Sequence, residues 1–256
     1  MGGADRRERQ RRQAAAQARL KAAGINPKRS GSGRSGNTIV LAIVAVVVIL
    51  AIVIGVVITL KNRSDAAAGP APTYPVSRTG AVVVAGQAAA PVTVDVYEDY
   101  LCPFCERLET TYKDQITTAL NAGQIKVNYH AVTILDGQTK PAGYSTRAAN
   151  AALCAVDANI WPGYHAALYA DQPAEGGAGL SNEQLTSKGT DLGAPASFGQ
   201  CVATNANAAA ISAATKAAET NAALQTNGSF GTPTVTINGT KVDLNDSNWL
   251  QNAIKK

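Results

Sequence analysis

Cys102 and Cys105 stand two residues apart in the stretch DVYEDYLCPFCERLETTYKDQ, with Pro103 and Phe104 between them. Three chemistries use such a pair: half of a zinc site, an inert staple, or a dithiol that exchanges electrons with disulfides. A zinc site needs a second pair at matching spacing, and Cys154 and Cys201 stand far apart. The two histidines, His130 and His165, show no ligand spacing and are expected on a strand or helix surface, so no metal is expected. A staple stabilises more when it closes a long loop, and this one would close a short one. Which chemistry holds depends on the elements that carry the sulfurs and on the compartment they face.

Val92, Val94 and Val96 alternate with Thr93, Asp95 and Tyr97, a period of two that predicts a strand. From Pro103 the period changes: Phe104, Leu108, Tyr112 and Ile116 recur every four residues, and the run stops near Asn121-Ala122-Gly123. This predicts a helix with proline in its first turn, where proline is accepted. Cys102 therefore sits where a strand gives way to a helix. Unpaired N–H groups and partial positive charge at that end stabilise a thiolate, so the Cys102 pKa should fall. Cys105, one turn later, can close a disulfide with it. Cys102, nearer the open end, is assigned the attacking role and Cys105 the resolving one.

Further strands are expected at Val82-Val83-Val84 and over 125–135. Helices are expected over 145–157, over 181–190 with Ser181 and Gln184 as a capping box, near 196–203 and over 207–224. Thr234–Ile237, Asn238-Gly239 and Thr240–Val242 read as a hairpin, followed by a short helix over 247–254. Strand–helix–strand, a helical block of about 142–225, then hairpin–helix gives an α/β fold with helices inserted in the middle.

The start of the chain supplies the compartment. Thr38 to Leu60 is 23 residues without a charge, enough for a helix to span a bilayer core of ~20 residues. It is too long for the apolar segment of a cleaved signal, so an uncleaved anchor is expected. Residues 1–37 carry ten Lys or Arg against two acids, whereas only Lys61 and Arg63 follow the run closely. Basic flanks stay in the cytoplasm, which puts 61–256 outside. Beyond the run, thirteen bases face sixteen acids. The formal charge of +5 thus belongs to the tail and argues against a nucleic-acid surface. The organisation expected is a tail (1–37), a membrane helix (38–60), an Ala/Pro-rich linker (61–75) and an outer domain (76–256). All four cysteines lie in that domain, an even number in an oxidising compartment.

Cys102-Pro103-Phe104-Cys105 after a strand, with Gly231-Thr232-Pro233-Thr234 before the last hairpin, resembles the DsbA-type branch of the thioredoxin-fold oxidoreductases. The likeness covers about 76–256, and the membrane run resembles the anchored DsbA-like proteins of high-GC Gram-positive bacteria. The resemblance implies a thioredoxin-like fold with an inserted helical domain and a cis Thr232–Pro233 bond facing the cysteine pair. It further implies disulfide transfer to unfolded exported proteins and reoxidation by a membrane partner of DsbB or VKOR type, without an organic cofactor. The backbone of Thr232 could then pair with an extended substrate segment. Two departures stand out. Phe104 occupies the slot where the strongly oxidising members carry His, which points to a less oxidising pair. Val96 occupies the slot, six residues before Cys102, where a buried acid is often found. Glu98 and Asp99 are the nearby acids, either as a proton relay or as a solvated strand end. Cys154 and Cys201 fall in the helical block and read as a structural disulfide, the competing reading being a second redox pair. Trp161, Tyr164 and Tyr169 between them are expected in the core. Phe104 and Phe230 are expected as an apolar rim around the active pair. Two other functions remain open at this level: a reductase or isomerase of the same fold, and an anchored binding module whose cysteines are all inert.

Overall fold

The computed structural model describes residues 71–255. The basic tail, the membrane run 38–60 and most of the linker lie outside them; among the described residues no helix is long and apolar enough to cross a membrane.

Six strands form one mixed sheet in the order β1-β2-β4-β3-β5-β6. They are β1 (Val76–Thr79), β2 (Val82–Ala85), β3 (Val92–Glu98), β4 (Ile125–Ala131), β5 (Thr234–Ile237) and β6 (Thr240–Lys241). Only β3 and β4 run parallel, joined through α1 (Pro103–Asn121); the other pairs are antiparallel. The alternation read in β3 is the one observed: Val94, Val96 and Glu98 face inward, while Asp95 and Tyr97 lie half-buried on the other face. Helix α1 buries Cys105, Leu108, Tyr112, Ile116 and Leu120. The hairpin turn forms at Asn238 and Gly239, both at positive φ (48° and 81°), the left-handed backbone that Asn-Gly provides.

Between β4 and β5 lie α2 (Tyr144–Asp157), α3 (Trp161–Ala170), α4 (Asn182–Asp191), α5 (Ala196–Thr204) and α6 (Ala208–Thr220); α7 (Trp249–Ile254) ends the fold. Ser181 and Gln184 make the expected capping box on α4. Gly189 of α4 lets the Phe198 ring of α5 close on it, since a Cβ there would meet that ring at 2.2 Å. A disulfide joins Cys154 of α2 to Cys201 of α5, with Cα atoms 6.0 Å apart and a sequence separation of 47. Chain entropy gives such a loop at most about 4 kcal/mol.

Two elements were not expected from the sequence, and two bounds are corrected. Strand β1 carries little apolar signal and forms an edge, where Arg78 forks onto Asp157 at 2.8 Å through Nε and a terminal guanidinium nitrogen. Helix α3 is apolar on nearly every side, so it has no amphipathic stripe to read; it buries Trp161, Tyr164, His165, Leu168 and Tyr169. β4 stops at Ala131 rather than 135, because the chain turns off the sheet and Leu135 N–H donates to Asp99 Oδ2 at 2.9 Å. The last helix of the block stops at Thr220, where Asn221 turns extended and caps a 3-10 turn over Ala222–Leu224. A second cis bond, Lys140–Pro141, lies in the loop before α2.

Candidate active site

Residues 99–102 make the turn from β3 into α1. Cys102 precedes the helix with extended backbone (φ −77°, ψ 118°), and Pro103 opens the helix, where a missing N–H leaves no hydrogen bond unmade. Asp99 holds the turn's amides: its C=O accepts from Cys102 N–H and its Oδ1 from Leu101 N–H, both at 2.9 Å. Gln172, just after α3, donates from Nε2 to the C=O groups of Tyr100 and Cys102, each at 3.1 Å.

The Cys102 Sγ lies 3.3 Å from the Thr232 C=O, across 130 residues of chain. The Thr232–Pro233 bond is cis, as the resemblance implied. Beside it runs a groove of about 410 Å³ walled by Phe104, Leu108, Tyr112, Thr232, Pro233 and Leu244. Phe104 stands 61 % exposed, with the Arg107 guanidinium 5.5 Å from its ring centre. Phe230 is not a wall of this groove. It packs edge-on against Tyr97, 6.1 Å between ring centres, beside a small cluster with Val132, Ala218 and Leu224. The expected apolar rim therefore comes from Phe104 and the α1 face.

Both sulfurs are nearly covered, Cys102 4 % exposed and Cys105 2 %, yet their protonation is driven apart. The Cys102 thiol is pulled down to about 6, first by the hydrogen bond from Cys105. That bond outweighs burial, and the Thr232 side chain and the N–H groups of Cys105 and Phe104 add to it. The helix amides thus contribute as expected, but the partner thiol contributes most. Cys105 is pushed well above the usual thiol range by burial, by its bond to Cys102 and by the Cys102 charge. One sulfur is set to be a thiolate and the other to stay protonated.

The two nearby acids are not a solvated strand end. Asp99 is 0 % exposed and Glu98 3 %. Asp99 accepts from Ser145 Oγ at 2.7 Å besides Leu101 and Leu135, and its backbone N–H lies against the Cys105 sulfur. Burial lifts its carboxyl to about 6, and the Cys102 charge adds to the lift. Its charge therefore costs stability as pH rises through about 6. Oxidation removes the charge on Cys102, so Asp99 should titrate lower in the disulfide form than in the dithiol form. Carboxyl-carbon NMR titration of Asp99 in both states reads this directly; equal midpoints would show that acid and sulfur are uncoupled.

Glu98 points into the seam with the helices. His165 of α3 meets it there, Nε2 to Oε1 at 2.9 Å, with Glu109 of α1 on its other nitrogen at 3.6 Å. His165 is 3 % exposed, not on a helix surface as expected. Burial works against its charge, but Glu98 and Glu109 together outweigh it and raise the imidazole to about 10. Rings of Tyr100, Tyr129, Trp161 and Tyr169 surround it. A cavity of about 310 Å³ between α1 and α3 reaches Glu109 and His165 from the far side. A signal for Glu98 was present: it shares the inward parity of Val94 and Val96. His130 is half-buried on β4, 3.0 Å from Asp95 and stacked on Tyr97. Cys154 and Cys201 lie apart from the site, bonded to each other.

The family described as Thioredoxin matches residues 78–256. The chain belongs to the thioredoxin family. Solved structures place it in the DsbA-like part of that fold. MdbA, a thiol-disulfide oxidoreductase from Corynebacterium diphtheriae, is 25 % identical with a TM-score of 0.62 over 72 % of this chain and 95 % of that one. DsbA from Mycobacterium tuberculosis is 26 % identical, with a TM-score of 0.56 over 66 % of this chain and 85 % of its own. The disulfide bond oxidoreductase DsbG from the same organism is 28 % identical, with a TM-score of 0.57 over 75 % of this chain and 89 % of its own. Among curated proteins, the serine/threonine-protein kinase PknE of Mycobacterium tuberculosis is 31 % identical over 179 residues, 67 % of this chain. This chain spans 31 % of that kinase's length.

Proposed function

We propose that this protein is a membrane-anchored, extracytoplasmic thiol–disulfide oxidoreductase that introduces disulfides into exported proteins through Cys102 and Cys105. The observation that carries the reading is the split between the two sulfurs, Cys102 lowered to about 6 and Cys105 raised. A low thiol pKa makes Cys102 a good leaving group and stabilises the dithiol form, which favours donation of the disulfide. This supports the oxidase over a reductase or isomerase, although Phe104 replaces the histidine of the stronger oxidants.

In the oxidised enzyme a substrate thiolate attacks the Cys102 sulfur. A substrate–Cys102 disulfide forms, the Cys102–Cys105 bond breaks, and Cys105 leaves with the electron pair and takes a proton. The proton comes from solvent, with the buried carboxyl of Asp99 as its relay. A second substrate thiolate then attacks the substrate's own sulfur, closing the substrate disulfide and releasing Cys102 as a thiolate. Two substrate thiols are oxidised and one enzyme disulfide is reduced. Thr232 aligns an extended segment beside Cys102, and the Phe104 groove takes its apolar side chains. A membrane partner of DsbB or VKOR type removes the two electrons. The basic tail and uncharged run 38–60 support the anchored placement.

Oxidative refolding of a reduced, denatured disulfide protein tests this. The oxidised protein should speed recovery, and Cys102→Ser should reduce the rate to that of the uncatalysed reaction. Equal rates with wild type and variant would rule the reading out.

A further inference from the structure

Cys102 can be a stabilised thiolate only if its sulfur stays in register with the donors on α1, since as a thiol it donates instead to the Thr232 C=O at 3.3 Å. That register is a property of the turn 99–102. Two of its amides are accounted for by one residue, since Asp99 accepts from both Leu101 N–H and Cys102 N–H. Its carbonyls at Tyr100 and Cys102 are held from the inserted region.

We propose that Gln172 is a positioning residue for the redox pair, its side-chain amide clamping the two turn carbonyls and so fixing where Cys102 presents its sulfur. The side chain has two N–H protons on one nitrogen, and its two hydrogen bonds, both at 3.1 Å, go to Tyr100 O and Cys102 O. The Cys102 C=O is also the first acceptor of α1, taking Cys105 N–H at 3.0 Å and Glu106 N–H at 3.2 Å. The clamp therefore acts on the peptide group that carries the nucleophile and starts the helix.

The residue comes from the inserted helical region, not from the sheet or α1. Gln172 follows α3, and α3 also carries His165, which holds Glu98 at 2.9 Å. The helix and the residues just after it thus grip the segment at both ends, Glu98 through an ion pair and Tyr100–Cys102 through an amide. The insertion serves as the chassis that sets the geometry of the pair.

This inference rests on the oxidoreductase reading, and the experiment separates the two. Gln172→Met keeps the length and shape of the side chain and removes both donors. Thiolate absorbance near 240 nm is titrated on the reduced full-length protein, and the dithiol–disulfide equilibrium is set against glutathione. Wild type comes first: an ordinary thiol titration there would sink the oxidoreductase reading itself. If wild type titrates near 6, Gln172→Met should have about fivefold less thiolate at pH 5. It should also shift the glutathione equilibrium by about the same factor toward the disulfide, the effect of ~1 kcal/mol for lost neutral hydrogen bonds. A Gln172 that merely holds the fold together would lower the melting temperature of dithiol and disulfide forms alike and leave the titration unmoved. That result would overturn the proposal. Gln172→Ala gives the same comparison should the methionine variant fold poorly.

Discussion

His165→Leu is expected to destabilise the protein by on the order of 3–5 kcal/mol, the cost of leaving buried charges without their partner. In the folded protein the imidazole lies 2.9 Å from Glu98 and 3.6 Å from Glu109, and both it and Glu98 are covered. Leucine fills the space but leaves two carboxylates facing each other among aromatic rings. Urea denaturation of wild type and variant measures the loss. Adding Glu98→Gln to His165→Leu should restore part of it, because one of the two stranded charges is gone. A cost below about 1 kcal/mol for the single change would mean that the cluster is already solvated. The pH dependence has a definite sign. His165 is raised from 6.5 to about 10, so its contribution is complete below about 6.5 and is lost as pH rises through 10. Alkaline destabilisation should therefore be weaker in the leucine variant than in wild type.

The second large effect lies in the pH profile of Cys102. With a pKa of about 6, half of this sulfur is thiolate at pH 6, against ~0.3 % of a thiol titrating near 8.5. That is a gain of roughly 150-fold in the reactive form. A weaker base is a weaker nucleophile, and a Brønsted slope of ~0.45 over 2.5 units takes back about 13-fold. The net advantage toward a small neutral disulfide is about tenfold at pH 6. It falls to about twofold at pH 7, vanishes at pH ~7.4 and reverses by pH 9, where both thiols are mostly ionised. Because the sulfur is only 4 % exposed, restricted access lowers all these rates together, so the shape of the profile is the measurement. The rate should reach half its plateau near pH 6. In Cys102→Ser, Cys105 should react only at strongly alkaline pH. A wild-type midpoint near 8.5 would remove the basis for thiolate chemistry at this site. The same shift acts on stability: the reduced protein should gain relative to the oxidised one as pH rises from about 6 to 9, and lose that gain as pH falls through 6.

Much of this site can be read locally. The period-two run of β3, the switch to period four in α1 and the proline after Cys102 place the first sulfur at a helix start without reference to the rest of the chain. The Asn-Gly hairpin and the Ser181–Gln184 capping box are likewise short-range signals, each satisfied within a few residues. The misread elements lacked such a signal. Helix α3 is apolar all round, β1 is a polar edge strand, and the chain after Ala131 keeps apolar residues although it has left the sheet. His165 was misplaced for a related reason. A lone histidine resembles a surface residue until its two carboxylates, one on β3 and one on α1, are brought against it.

The order of residues by itself determined that two thiols would share the first turn of a helix, that a Thr-Pro step would precede the last hairpin, and that helices would be inserted between. Those are consequences of spacing and backbone preference, which act over a few residues. Packing alone decided which groups surround the redox turn: Thr232 from 130 residues away, Asp99 sealed from water, Gln172 reaching back from the insertion to the turn carbonyls, and an imidazolium held between Glu98 and Glu109. A thiol's acidity depends on the dipoles and charges within a few ångströms of it, and these are set by the tertiary fold.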